Sequence, residues 1–98
     1  MSATLILLVA AQLSVAGKPL KPADFLDGRA IAGGTGTPVV MLTLTPAAAK
    51  RVGRTGPSAK YTLDGRPAVA RFADNTIELD GQKTFEAAAK LARAISGK

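Results

Sequence analysis

A chain of 98 residues with 47% hydrophobic side chains but only 4% aromatics is one domain's length, and its core has to be built from Ala, Val, Leu and Ile. It has no Cys and no His, which removes disulfides, thiolate chemistry, the commonest general base and the zinc sites made from those two residues. The net charge of +6, from 13 basic and 7 acidic side chains, favours anionic partners: nucleic acid, an acidic membrane surface or acidic segments of other proteins.

The most apolar run comes first, Leu5-Ile6-Leu7-Leu8-Val9-Ala10-Ala11. It has the apolar centre of an export signal, and Ala10-Ala11 or Ala16-Gly17 offers small residues for cleavage, yet Met1-Ser2-Ala3-Thr4 lacks the basic start. The run is too short to cross a bilayer, which takes about 20 residues. A strand over residues 5–16 fits better. Leu5, Leu7, Val9, Ala11, Leu13 and Val15 alternate with a series that turns polar at Gln12 and Ser14. That length is excessive for one strand and places a bend near Ala10-Ala11.

Gly17-Lys18-Pro19-Leu20-Lys21-Pro22 reads as a turn and linker, because its prolines remove backbone donors and hold the chain extended. Ala23-Asp24-Phe25-Leu26 is expected as a single helical turn, followed by the pair Asp27-Gly28. Arg29-Ala30-Ile31-Ala32 then reads as a short strand, and Gly33-Gly34-Thr35-Gly36 as a loop. The segment Pro38–Leu44 is β-branched, apolar and bounded by Gly and Pro, which predicts a strand. Thr45-Pro46 opens a helix: Thr accepts a hydrogen bond from an early helical amide, and Pro suits the first helical position. The helix continues from Ala47 to the region of Arg51, weakens at Gly53 and stops at Gly56-Pro57.

Ala59-Lys60-Tyr61-Thr62-Leu63 and Ala68-Val69-Ala70-Arg71-Phe72 flank Asp64-Gly65, a hairpin signal because both turn positions need positive φ. Pro67 cannot donate to a ladder, so an unpaired edge is expected there. Asp74-Asn75 is a further turn, and Thr76-Ile77-Glu78-Leu79 a short strand ending at Asp80-Gly81. Thr84 caps the last helix, with Glu86 in its first turn complementing the dipole and pairing with Lys90 four residues on. Ala88, Leu91, Ala92 and Ile95, extended by Phe85, form one apolar stripe, and the opposite face shows Lys90, Arg93 and Lys98. Gly97 suits the C-terminal cap. The tetrad Leu-Asp-Gly-Arg stands at 26–29 and 63–66, and Leu-Asp-Gly-Gln at 79–82; unequal spacing marks recurring turn chemistry, not a repeat.

Little in the chain points to catalysis. The loops at 33–36 and 53–56 lack the Gly-Lys-Ser/Thr ending and the following helix of a phosphate loop. Most carboxylates stand in turns or at a helix start, where local hydrogen bonds account for them. Asp74, Glu78 and Asp80 lack the spacing of a calcium loop. Ser and Thr have no His to activate them. No catalytic residue, metal or cofactor is called for, and a non-enzymatic role is expected. Nucleic-acid binding rests on charge, with Tyr61 and Phe72 the only aromatics placed for base stacking on a sheet.

The order of elements carries a resemblance. Lys18-Pro19-Leu20 with Asp24-Phe25-Leu26, the strand Gly36-Thr37-Pro38-Val39-Val40-Met41-Leu42-Thr43-Leu44-Thr45, and the helix Ala47-Ala48-Ala49-Lys50-Arg51 form its first half. Tyr61-Thr62-Leu63-Asp64-Gly65-Arg66, Ile77-Glu78-Leu79-Asp80-Gly81 and Thr84-Phe85-Glu86-Ala87-Ala88 form its second. Together, residues 18–97 resemble the soluble periplasmic (P1) head subdomain of SecD, the accessory subunit of the bacterial protein-export channel. The pattern predicts an α+β fold, an antiparallel sheet of about four or five strands with two helices on one face. The resemblance implies a ferredoxin-like arrangement and a cell-envelope or periplasmic protein that contacts unfolded or translocating polypeptide or translocon components. An uncleaved N-terminus would instead mean a cytoplasmic protein. The mechanism expected is strand addition at an exposed sheet edge, aided by a basic helix face bearing Lys50, Arg51, Arg54, Lys90 and Arg93. The competing reading is a small basic module that binds nucleic acid or an anionic surface, including peripheral contact with a membrane.

Overall fold

The computed structural model describes residues 10–98. In chain order its strands are β1 (Leu13–Val15), β2 (Lys18–Pro19), β3 (Phe25–Ala32), β4 (Pro38–Leu44), β5 (Tyr61–Leu63), β6 (Arg66–Ala68), β7 (Ala70–Ala73) and β8 (Thr76–Leu79). A 3-10 turn at Pro22–Asp24 precedes β3, helix α1 (Pro46–Arg54) follows β4, and helix α2 (Phe85–Ser96) follows β8. The fold is α+β with two four-stranded antiparallel sheets, ordered β2-β1-β5-β6 and β3-β4-β8-β7.

Turn chemistry explains the hairpins. Asp64 and Gly65 take φ of 52° and 82°, and Ala16 and Gly17 take 52° and 81°, the paired positive values a two-residue connection needs. Both helices start as their caps predict: the Thr45 Oγ1 accepts the Ala48 N–H at 3.2 Å, and the Thr84 Oγ1 accepts the Ala87 N–H at 3.0 Å. Gly97 closes α2 in the left-handed region, at φ 72°.

One core joins everything. Val40, Leu42 and Leu44 of β4, with Ile77 and Leu79 of β8, turn a buried face toward Ala88, Ala92 and Ile95 of α2. Leu13, Val15 and Leu20 close it from the first sheet, and Ala48 and Val52 from α1. Gly28 fixes how closely α2 approaches β3. A Cβ there would lie 2.7 Å from the Ser96 Oγ and 2.9 Å from the Ala92 carbonyl oxygen, so only glycine fits.

Several expectations change. The single sheet becomes two, because the strand expected over residues 68–72 divides at Val69. Ala68 pairs with Tyr61 in one sheet, and Ala70 with Leu79 in the other. Continued, the first register would set Phe72 opposite Pro57, which has no N–H to offer. Asp27-Gly28 is no turn: it lies inside the eight-residue β3, whose register shifts between Phe25 and Asp27. Of the strand expected over 5–16, residues 5–9 lie outside the described chain, and the remainder is strand only over Leu13–Val15. Helix α1 runs past Arg51 to Arg54, since Gly53 costs a helix only about 1 kcal/mol.

On α2, Phe85 is 48% exposed instead of extending the stripe, and Ser96 is fully buried, its hydroxyl donating to the Ala92 carbonyl at 2.7 Å. Glu86 and Lys90 form no ion pair. Lys98 is not on a free basic face either: its Nζ donates to the Pro22 carbonyl at 2.9 Å.

Candidate polypeptide-binding edge

Each sheet ends in two edge strands, and the register tells which backbone groups they leave bare. In the first sheet, Val15 opposes Lys18 and Leu63 opposes Arg66 across two-residue turns, so Pro19 and Pro67 are the residues whose nitrogens face outward. Proline has no N–H, so both edges of this sheet are blunted at the position where a new strand would bond.

The second sheet has no such block. Ala73 opposes Thr76 across a two-residue turn and Arg71 opposes Glu78, while the Asp80 N–H donates to the Val69 carbonyl at 2.9 Å. The residues between these bonded pairs, Ala70 and Phe72, therefore direct N–H and C=O away from the sheet. They open onto a groove of about 540 Å³ lined by Val52 and Gly53 of α1, Gly56, Tyr61 of β5, and Ala70 and Phe72. Its shape follows from small residues: a Cβ on Gly53 would stand 3.8 Å from the Phe72 ring, and one on Gly56 would meet only open space. Tyr61 borders it half-buried, and burial holds its phenol above the usual tyrosine pKa, so it is a neutral hydrogen-bonding group at physiological pH.

The expected basic residues are dispersed. Arg51 is spoken for: its guanidinium reaches the Asp24 carboxylate at 2.8 Å. Arg54 shares with Lys18 and Arg51 a smaller cleft of about 280 Å³, floored by Val15, Leu20 and Val52. Lys50, Lys90 and Arg93 are exposed and line neither cavity, and they form no ion pair among the described residues. The cleft is a poor anion site, since it lies at the C-terminal, negative end of α1 and its central cation is already neutralised.

Burial works to raise the Asp24 pKa, but the Lys21 N–H, donating to its Oδ2 at 2.9 Å, and the Arg51 guanidinium outweigh it, and the net direction is down. A carboxylate with a lowered folded pKa stabilises the fold above its unfolded value, and this contribution disappears as pH falls through the folded value. Asp24→Asn is expected to cost about 1.5–3 kcal/mol at neutral pH, the range for hydrogen bonds to a charged group. Urea unfolding across the acid range should show the two proteins converging as Asp24 protonates.

The outer face of the second sheet is occupied by charge pairs instead of aromatics: Arg71 with Glu78 at 2.9 Å and Asp80 at 3.0 Å, and Arg29 with Asp27 at 2.6 Å. Tyr61 and Phe72 belong to different sheets, and Phe72 faces the helix side beside buried Ile77, so they make no platform for stacked bases. Among the described residues no cluster of acidic side chains is arranged to hold a metal, and no helix is long and apolar enough to cross a membrane.

No protein-family model matches the chain, and neither the curated proteins nor the solved structures yield a match. The residues that define the β7 edge, Ala70 and Phe72, were not legible as a site in the sequence. Alternation marked them as strand, but which sheet edge they would border depends on the break at Val69.

Proposed function

We propose that this chain is a non-enzymatic polypeptide-binding module that takes up an extended segment of another chain at the β7 edge. The observation that carries this is the outward N–H and C=O of Ala70 and Phe72, unpaired among the described residues, above a largely apolar groove, while both edges of the other sheet are blunted by proline. Strand addition supplies affinity through the main chain, and the groove accepts alternate side chains of the incoming segment. Each of the four bonds available is worth about 0.5–1.5 kcal/mol net, which suits a reversible, sequence-tolerant contact.

The SecD-head reading is our interpretation of the order of elements, with a role in the cell envelope beside translocating chains or the translocon. It is supported by the topology of the second sheet. Strand β4, helix α1 and β7 form a split unit with β8 inserted between its parallel strands, and α2 follows β8. With β3 supplying the fourth strand from the N-terminal side, we read this order as a circular permutation of the ferredoxin-like one, a reading supported by the nearness of Gly53 to Phe72 and of Gly28 to Ser96.

Tyr61 is the only tyrosine and the chain has no tryptophan, so its fluorescence reports on the groove directly. Titration with an unfolded, protease-resistant polypeptide is expected to perturb it. Ala70→Pro, which deletes one outward donor at the first residue of a strand, is expected to weaken binding about tenfold with little loss of stability, the effect of one hydrogen bond. Binding unaffected by Ala70→Pro would sink the edge assignment. Binding to single-stranded oligonucleotide that falls steeply with salt, with none to polypeptide, would replace this reading by the nucleic-acid one.

A further inference from the structure

The second sheet has another bare edge. Leu44 donates to the Asn75 carbonyl at 2.7 Å, which assigns Val40, Leu42 and Leu44 to β8 and leaves Val39, Met41 and Thr43 to bond β3. On β3 the bonded partners are Ile31, Arg29 and Asp27, so Gly28, Ala30 and Ala32 face outward, with no strand paired to them among the described residues. None of the three carries more than a methyl group, and none is a proline. This is the longest strand of the fold, and it lacks the blunting seen at Pro19 and Pro67.

Exposed apolar surface collects here. Leu26, 57% exposed, sits at the register shift in β3 itself. Leu26 thus leaves a large exposed hydrophobic side chain on the edge strand itself.

We propose that this edge pairs with β3 of a second copy of the chain, antiparallel about a two-fold axis through Gly28. Outward residues can bond only to outward residues, so the axis has to pass through a residue, and charge selects which. An axis at Arg29 sets two guanidinium groups against each other. One at Ala30 sets Arg29 opposite Ile31. The axis at Gly28 places Asp27 of each copy opposite Arg29 of the other, in the closely spaced, non-hydrogen-bonded positions where side chains interact most. In the isolated chain the same two side chains are paired with each other, at 2.6 Å, so they meet the partner already oriented on the outer face. The pairing joins two four-stranded sheets into one of eight and covers Leu26 of both copies.

Sedimentation velocity over rising protein concentration tests this independently of polypeptide binding. A shift from monomer to dimer is expected. Ala30→Pro removes an N–H that bonds nothing in the single chain and should abolish the shift, with thermal unfolding checking that the fold survives. Arg29→Asp should weaken the dimer at least tenfold, and the exchanged pair Asp27→Arg with Arg29→Asp should restore it. Because the exchange also restores the pair within one chain, Ala30→Pro, which leaves that pair untouched, is the deciding variant. A chain that stays monomeric at every concentration, or a dimer indifferent to Ala30→Pro and to the charge reversal, overturns the proposal.

Discussion

Leu42→Ala is expected to lower the free energy of unfolding by about 3 kcal/mol, within the range for truncating a buried leucine. Leu42 is 0% exposed, in the middle of the central strand β4, with Gly28 and Ile77 as its neighbours across the two ladders. Little can move to fill the space it leaves. Gly28 has no side chain, Ile77 is held by its own ladder, and α2 already touches the backbone of β3 through Ser96. The cost therefore includes the cavity as well as the lost transfer energy. A domain of this size has about 5–15 kcal/mol in total, and each kcal/mol shifts its melting temperature by about 4–8 °C. Thermal unfolding should show a fall on the order of 10–20 °C. A shift of only a degree or two would mean that the β4 face is not the centre of the core.

Gly28→Ala is expected to destabilise the fold by about 1–3 kcal/mol although it adds a single carbon. Gly28 is not in the left-handed region, so its φ does not oppose the change, and in an ordinary strand position alanine would gain about 0.5–1 kcal/mol of backbone entropy. The opposing effect is steric. A Cβ would lie 2.7 Å from the Ser96 Oγ and 2.9 Å from the Ala92 carbonyl oxygen, and the second is backbone of a packed helix. Removing the hydroxyl with Ser96→Ala in the same chain relieves the first contact only. Chemical denaturation of the single and double variants should show partial rescue. Full rescue would mean that α2 yields more readily than its packing suggests, and a stabilising Gly28→Ala would show that the close approach is not a feature of the fold.

Legibility differed by element. The boundaries of β4 and β8 and the caps at Thr45, Thr84 and Gly97 match the sequence reading, because a β-branched run, a capping hydroxyl and a left-handed glycine act within a few residues of themselves. The edge proposed for binding was not readable. Which of Pro19, Pro67, Ala70 and Phe72 faces outward depends on the parity of the ladders and on which sheet each strand joins. The basic residues show the same limit from another side. Lys50, Arg51 and Arg54 follow from a helical spacing, but only the fold set Asp24 beside Arg51.

The tetrad Leu-Asp-Gly-Arg states the division most directly. At 63–66 it is a hairpin, with Asp64 and Gly65 at positive φ, as its turn chemistry alone predicts. At 26–29 the same four residues are extended inside β3, with Asp27 bonded across to Thr43 and Gly28 pressed under α2. Turn propensity amounts to about 1 kcal/mol and acts over four residues. A ladder along the whole of Pro38–Leu44, together with a helix that needs a side-chain-free strand beneath it, outweighs it. Caps and turns without a competing partner follow from short-range chemistry, whereas sheet membership, bare edges and charge pairing follow from contacts between residues far apart in the chain.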